Sequence, residues 1–507
     1  MFSIAMKKAG HSKNISQKLK GKQKEWKSYI DARLSVVVAV LSIIAAAYIS
    51  LAPADNGVSD LQEEVTLKSP PNIAPGWFDI TDAKPLNSYN LTESIDKVMK
   101  TMVKDKPAII KAQSLLKDWP IFQWDLLKIS RKRQNNSTLH LENCRLQAGD
   151  GVFVLGRERE KGGMLGSRHD TAMTYINSSL AEFLNQIFND KIYLYWAGEL
   201  KIWEDFLGAS QACTKSQCWE SFKIIDEGLR PTIEKKWNES AALWKPMLWL
   251  SHPGVVASTH YDTQHNIFIQ VMGEKRFILF PPETELYSYP NIHRSYRQSQ
   301  VRLETPRVSN ASEDFFKRIN PSQSVAYEVI VKPGDVLYIP PYWQHRVEST
   351  SLAVSLSILS PSEVETSLAE IYWEQVPFGG RVQESRSMRI LAVSRFLNTV
   401  LIGVNEDLRP FAEDLYTTRY APLYDRASLS VFPEFNHSTG SCTKDVSLIK
   451  PEIDLIETQA FRISDMLQAV NTSKAIKRIF LRDYAEQLSR WAVGPQYTPF
   501  FIKRCLL

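Results

Sequence analysis

Cysteine is scarce in this chain, with five residues in 507. So few excludes a disulfide-dense scaffold and leaves a packed apolar core as the main source of stability. Zinc-type spacing is missing too: Cys144, Cys213, Cys218, Cys442 and Cys505 contain no Cys-X-X-Cys pair. Cys213 and Cys218, in "CTKSQC", are close enough for one bridge, with buried thiols the equal alternative. Glycine and proline show no excess and no internal repeat is visible, so the composition is that of a globular protein. A basic folded domain is also lacking. The net charge is +5, yet nine Lys/Arg between Lys7 and Arg33 face only Glu25 and Asp31, which makes residues 1–33 a +7 tail and the rest about −2. No nucleic-acid partner is expected of such a chain.

What is present begins with residues 34–52, "LSVVVAVLSIIAAAYISLA", which carry no charge and nearly match the length that crosses a bilayer. A buried helix would show a polar stripe, and a cleaved signal peptide a shorter apolar run. The reading is a single-pass membrane anchor. The basic tail stays cytosolic, and the side bearing Asp55, Asp60, Glu63 and Glu64 faces a lumen or the outside. Asn-X-Ser/Thr acceptors at Asn90, Asn135, Asn136, Asn177, Asn238, Asn310, Asn436 and Asn471 support passage through the secretory pathway as a glycoprotein. A mitochondrial reading of the basic start would leave those acceptors unexplained.

Residues 53–76 read as a polar, proline-containing stalk. From 77 to 361 short apolar strands dominate, among them "GVFVLG", "KIYLYW", "NIFIQVMG", "KRFILFPP" and "LAVSLSIL". Several alternate with period two between Gly or Pro turns, which predicts an antiparallel sandwich or barrel. Turns are expected at Gly273-Glu274 and Pro333-Gly334-Asp335, and "DTAMTYINSSLAEFLNQIF" reads as helical punctuation. Residues 362–507 read as a helical region, with Ile390, Val393, Leu397, Val400, Leu401 and Val404 at helical spacing.

One strand is out of character. "STHYDTQHNIFIQVMGEKRFILFPP" carries His260 and Asp262 two residues apart, so both side chains look to one face. Burying them without partners is costly, which leaves a bound group or an ordinary surface strand. His345, ending "KPGDVLYIPPYWQH", is the candidate third ligand. Two imidazoles and a carboxylate make the set that suits non-haem Fe(II) and leaves positions open. Lys275, on the following strand, either enters the same interior to meet an anion or is solvated between Glu274 and Arg276.

"HYDTQHNIFIQVMGEKRFILFPP" together with "GDVLYIPPYWQHRVES" resembles the cupin-like JmjC family of Fe(II)/2-oxoglutarate oxygenases. Within that family the likeness is to the asparaginyl hydroxylase that inhibits hypoxia-inducible factor, over about residues 77–361. The resemblance implies a mainly β fold, a double-stranded β-helix of jelly-roll type with flanking helices. Joined to it are the N-terminal transmembrane helix and the C-terminal helical region. It implies Fe(II) on His260, Asp262 and His345, with 2-oxoglutarate as cosubstrate and O2 as oxidant. Lys275 and the phenol of Tyr193 would take the distal carboxylate, and Asn266 would stand near the metal-binding end. Arg297 and Gln298 would hold a peptide substrate. Two positions depart from the pattern: Ala257 stands where a hydroxyl is frequent, and Ser357 where that hydroxylase has an asparagine.

The expected function is a membrane-anchored dioxygenase that hydroxylates protein side chains, with Asn or Asp the first target. Lysine demethylation conflicts with the anchor, and RNA-base hydroxylation also lacks a basic groove. A non-catalytic scaffold on the same barrel is the reading from another class. The resemblance also raises a homodimer through the C-terminal helices.

Overall fold

The computed structural model describes residues 83–90, 106–134, 137–148, 152–153, 174–189, 192–207, 246–284, 286, 288–291, 296–300, 325–373, 377–421 and 446–506. The chain divides into two units, residues 1–66 and 67–507, and every described residue lies in the second. The basic tail, the anchor at 34–52, the stalk at 53–76 and the Cys213/Cys218 pair fall outside the described residues. Among the described residues no single helix is long and apolar enough to cross a membrane.

Among the described residues fifteen strands form two sheets. In chain order they are β1 Lys84–Pro85, β2 Ser88–Asn90, β3 Ala108–Lys111, β4 His140–Ala148, β5 Val152–Phe153, β6 Thr174–Ser179, β7 Ile192–Glu199 and β8 Met247–Ser251. Then follow β9 Val256–Tyr261, β10 His265–Met272, β11 Lys275–Phe280, β12 Tyr327–Val331, β13 Asp335–Ile339, β14 Gln344–Ser349 and β15 Ala353–Ser360. The smaller sheet runs β1-β12-β11-β14-β9-β5, the larger β2-β3-β13-β10-β15-β8-β7-β4-β6. Most neighbours are antiparallel, while β1–β12, β2–β3 and β5–β9 are parallel, so the sheets are mixed.

From β8 to β15 the chain passes back and forth between the sheets, as the double-stranded β-helix reading expects. Gly273 makes one such passage: β10 lies in the larger sheet and β11 in the smaller. Its φ is +68°, and a Cβ there would fall 2.0 Å from the Leu352 carbonyl oxygen, so only glycine fits. Next to this turn the β10–β15 register shifts between Gln270 and Met272. The buried Gln270 amide fills the bulge, donating to the Met272 and Gly273 carbonyls and accepting from Ser355 Oγ at 3.0 Å. β10 has neighbours on both edges and is buried from Asn266 to Val271, which is why its sequence reads as a nearly unbroken apolar run.

The segment read as helical punctuation is half strand. Thr174–Ser179 pairs with β4, and helix begins only at Leu180. Ser179 caps that helix, accepting from Glu182 N while the Glu182 carboxylate accepts from Ser179 N. The C-terminal region is helical as expected, with helices Arg386–Gly403, Leu408–Leu415, Lys450–Ala469 and Lys474–Val493. The first and last are capped by Ser385 and Ser473. Their apolar faces make a second core, which Tyr261 and Tyr342 of the sandwich enter. The helices are thereby joined to the strand that carries His260.

Candidate metal centre

His260, Asp262 and His345 come together as their spacing predicts. Their ligand atoms all lie within 4.8 Å of one another, close enough for one ion to gather. His260 stands opposite His345 on the β9–β14 ladder, and Asp262 follows two residues later on the same side. Asp262 Oδ2 is 3.8 Å from His345 Nε2.

Backbone carbonyls set the imidazoles. His260 Nδ1 is 2.7 Å from Ser258 O, and His345 Nδ1 is 3.0 Å from Trp343 O. A carbonyl only accepts, so each Nδ1 holds the proton and each Nε2 offers its lone pair, as a metal ligand must. Burial and the neighbouring His260 push His345 down to about 4, against the opposing pull of Asp262, so it is neutral near pH 7. The donor set fits Fe(II). Tyr342 N donates to Asp262 O at 2.7 Å, and Thr263 bonds to the Glu365 carboxylate, so both ends of the Asp262 turn are tied down.

The three ligands line a cavity of about 180 Å³ together with Lys275, Asn266, Gln298, Tyr195 and Arg145. Lys275 is 2% exposed. Its Nζ lies 5.4 Å from the Phe268 ring centroid and 5.9 Å from that of Tyr195, with no acceptor among the described residues. Burial alone pushes it down to about 7. A buried ammonium facing rings in a polar-ended cavity is completed by an anionic ligand, which fits a dicarboxylate whose other end meets the metal. Lys275 therefore enters the interior rather than solvent.

Asn266 and Ser357, both singled out from sequence, bond to each other: Ser357 Oγ donates to Asn266 Oδ1 at 3.0 Å. That leaves the Asn266 amide N–H group as the donor toward the cavity. Ser258 Oγ likewise donates to Gln298 Oε1 at 3.3 Å, so Gln298 also presents N–H beside His260, with which it forms a backbone bridge.

Arg297 and Tyr193 stand elsewhere. Arg297 has φ +68°, a left-handed turn that separates its direction from that of Gln298, and its guanidinium lies over the Tyr296 ring at 5.2 Å. Tyr193 is packed at Gly254, where an added Cβ would come within 2.9 Å of its ring. Neither lines the cavity. Tyr195, two residues on and on the same strand face, does. Arg145 was also missed. It comes from β4, whose pairing with β7 is a tertiary fact that no local motif announces.

Residues 96–376, more than half of the chain, match the family described as cupin-like domain, and the chain belongs to that family. Among curated proteins it is 31% identical over 151 residues to Lysine-specific demethylase JMJ31 of Arabidopsis thaliana, covering 29% of this chain and 27% of that one. It is 35% identical over 109 residues to Jumonji C domain-containing protein 5 of Drosophila melanogaster, covering 22% and 26%. With human tRNA wybutosine-synthesizing protein 5 the identity is 30% over 165 residues, covering 32% and 47%. The chain thus spans about a quarter to a half of the length of these relatives. They place it among JmjC-type proteins.

Proposed function

We propose that this chain is an Fe(II)/2-oxoglutarate-dependent dioxygenase that hydroxylates a protein side chain, with asparagine or aspartate as target. The observation that carries the reading is the pairing, in one cavity, of the His260–Asp262–His345 donor set with the buried, acceptorless ammonium of Lys275. Bound there, ferrous iron and 2-oxoglutarate supply the oxidising equivalents with O2. The protein's own residues do the rest. His260, Asp262 and His345 hold the ion, Lys275 neutralises the far carboxylate, and Asn266 orients the near end with its amide N–H. The apolar walls of Phe268, Phe277, Val347 and Leu359 exclude water from the reacting groups.

The choice of target rests on Gln298. Its N–H group beside His260 suits the carbonyl of a side-chain amide or carboxyl, as the motif likeness to the asparaginyl hydroxylase implies. Lysine demethylation is the competing reading, favoured by the likeness to the Arabidopsis lysine-specific demethylase. The near-neutral charge beyond the tail speaks against a nucleic-acid substrate.

We also place the catalytic unit in a secretory lumen, anchored by residues 34–52. Two observations support this. Cys505 is disulfide-bonded, which suits an oxidising compartment, and the acceptor residues Asn177 and Asn471 are exposed. Exposed Ile402, Leu455 and Phe461 on the C-terminal helices support pairing with a second copy.

The test is to give secretory-pathway proteins from cells lacking this chain to the purified protein with Fe(II), ascorbate and 2-oxoglutarate, then map mass changes. Gain of one oxygen on Asn or Asp supports the proposal. Loss of methyl groups from lysine, with no such gain, replaces it with the demethylase reading.

A further inference from the structure

We infer that Arg145 is a second cation for the distal carboxylate of the cosubstrate, acting beside Lys275; the inference rests on the 2-oxoglutarate reading above. Strand register places it. Arg145 is paired with Tyr195 on the β4–β7 ladder, and Tyr195 with Ser251 on β7–β8. Ser251 Oγ meets Ser349 Oγ at 2.7 Å across the two sheets, and Ser349 is paired with Lys275 on β11–β14. This sequence of neighbours brings Arg145 and Lys275 to one end of the sandwich. His345 is instead paired with Leu279, four residues further along β11, a separation of about 13 Å along the strand. A cation that met the reacting group of a substrate would belong at the His345 end. Arg145 belongs at the other.

The side chains agree with the register. The Arg145 guanidinium carbon lies 5.2 Å from the Tyr195 ring centroid, and Lys275 Nζ lies 5.9 Å from the same centroid. Two cations thus border one ring, which stacks on Trp249 at 5.5 Å and is held by it. Among the described residues no carboxylate reaches either cation, and Asp262, the one acid lining the cavity, belongs to the metal set. Ala257 lines the same cavity without a donor. A carboxylate arriving there meets the point charge of Lys275 and the planar fork of Arg145, which binds carboxylates in bidentate fashion. Arg145 is partly exposed, so it keeps its hydration until the ligand arrives, whereas Lys275 is already stripped of water. On this account Arg145 sets the preference for 2-oxo acids that carry a second carboxylate.

The experiment is calorimetric titration of the full chain loaded with Mn(II), which replaces iron without turnover. The ligands are 2-oxoglutarate and 2-oxobutyrate, which has the same 2-oxo acid head and no distal carboxylate. Arg145→Gln is expected to weaken 2-oxoglutarate roughly tenfold or more while leaving 2-oxobutyrate within about twofold. Arg145→Lys is expected to recover part of the loss. Equal 2-oxoglutarate affinity in wild type and Arg145→Gln overturns the inference and leaves the function standing. Failure of the wild type to bind either acid overturns the 2-oxoglutarate reading itself. If Arg145→Gln loses both acids through misfolding, Arg145→Met decides: selective weakening of 2-oxoglutarate supports the inference, and wild-type affinity for both acids overturns it.

Discussion

His260 lies directly opposite His345 on the β9–β14 ladder, with ring centroids 4.3 Å apart. Each ring is held by a carbonyl two residues away in the chain, so the two Nε2 atoms are positioned by backbone and not by one another. Metal binding should therefore depend on each ligand while the fold does not. Asp262→Ala is expected to weaken Mn(II) affinity beyond the 10–100-fold typical of losing an outer partner, on the order of 100-fold or more. The melting temperature of the metal-free protein should stay within about 2 °C of wild type, since this carboxylate is 35% exposed. Titration calorimetry and thermal unfolding check the two halves.

Lys275 makes the ligand-free protein pH-sensitive. Its folded value near 7 lies below the ordinary lysine value of 10.5. Below pH 7 the ammonium is charged in both folded and unfolded chains, and the burial penalty is present in full. Between pH 7 and 10.5 the unfolded chain keeps a proton that the folded chain has released, so stability rises with pH. Lys275→Met should stabilise the ligand-free protein by a few kcal/mol, ~2–4, at pH 6, with the gain shrinking toward pH 10. Denaturant unfolding at the two pH values measures it.

The same residue predicts proton uptake. Binding of 2-oxoglutarate at pH 8 requires the charged form of Lys275, which the free protein has largely given up. Binding heats measured in buffers of different ionisation enthalpy should show close to one proton taken up, and Lys275→Met should show none. An unchanged heat across buffers would contradict the assignment of Lys275 to the anion.

Arg419 is buried between Asp483, at 2.6 Å, and Glu486, at 3.2 Å, and Tyr261 donates to Asp483 at 3.4 Å. Burial raises Glu486 to about 7 in spite of the guanidinium. Arg419→Met takes the shared cation from the partly buried Asp483 and the fully buried Glu486, and is expected to cost about 3–5 kcal/mol at pH 8. Because Glu486 takes up a proton more readily than an ordinary glutamate, the loss should be smaller at pH 6. Chemical unfolding at both pH values checks the sign.

Much of this site was legible in the sequence because strand alternation is local. His260 and Asp262 two residues apart share a face by alternation alone, whereas the sequence leaves Lys275, after its glycine turn, open between that interior and solvent. The C-terminal helices were legible for the same reason: Ile390, Val393 and Leu397 mark a buried stripe that the Arg386–Gly403 helix presents to its neighbours. What depended on register was hidden. Nothing near Arg145 says that β4 lies beside β7, and nothing in "KIYLYW" says that Tyr195 and not Tyr193 reaches the cavity. The sequence of Thr174–Ser179 suits a helical period as well as a strand, and only pairing with β4 decides between them.

The central claim is that the His260–Asp262–His345 set and Lys275 form one oxygenase centre. It is tested most directly by succinate release from 2-oxoglutarate with Fe(II) and ascorbate, comparing wild type, Asp262→Ala and Lys275→Met. The account predicts succinate from the wild type and none above background from either variant. Equal succinate from all three, or a wild type that binds neither iron nor 2-oxoglutarate, would contradict it and favour a non-catalytic role for the sandwich.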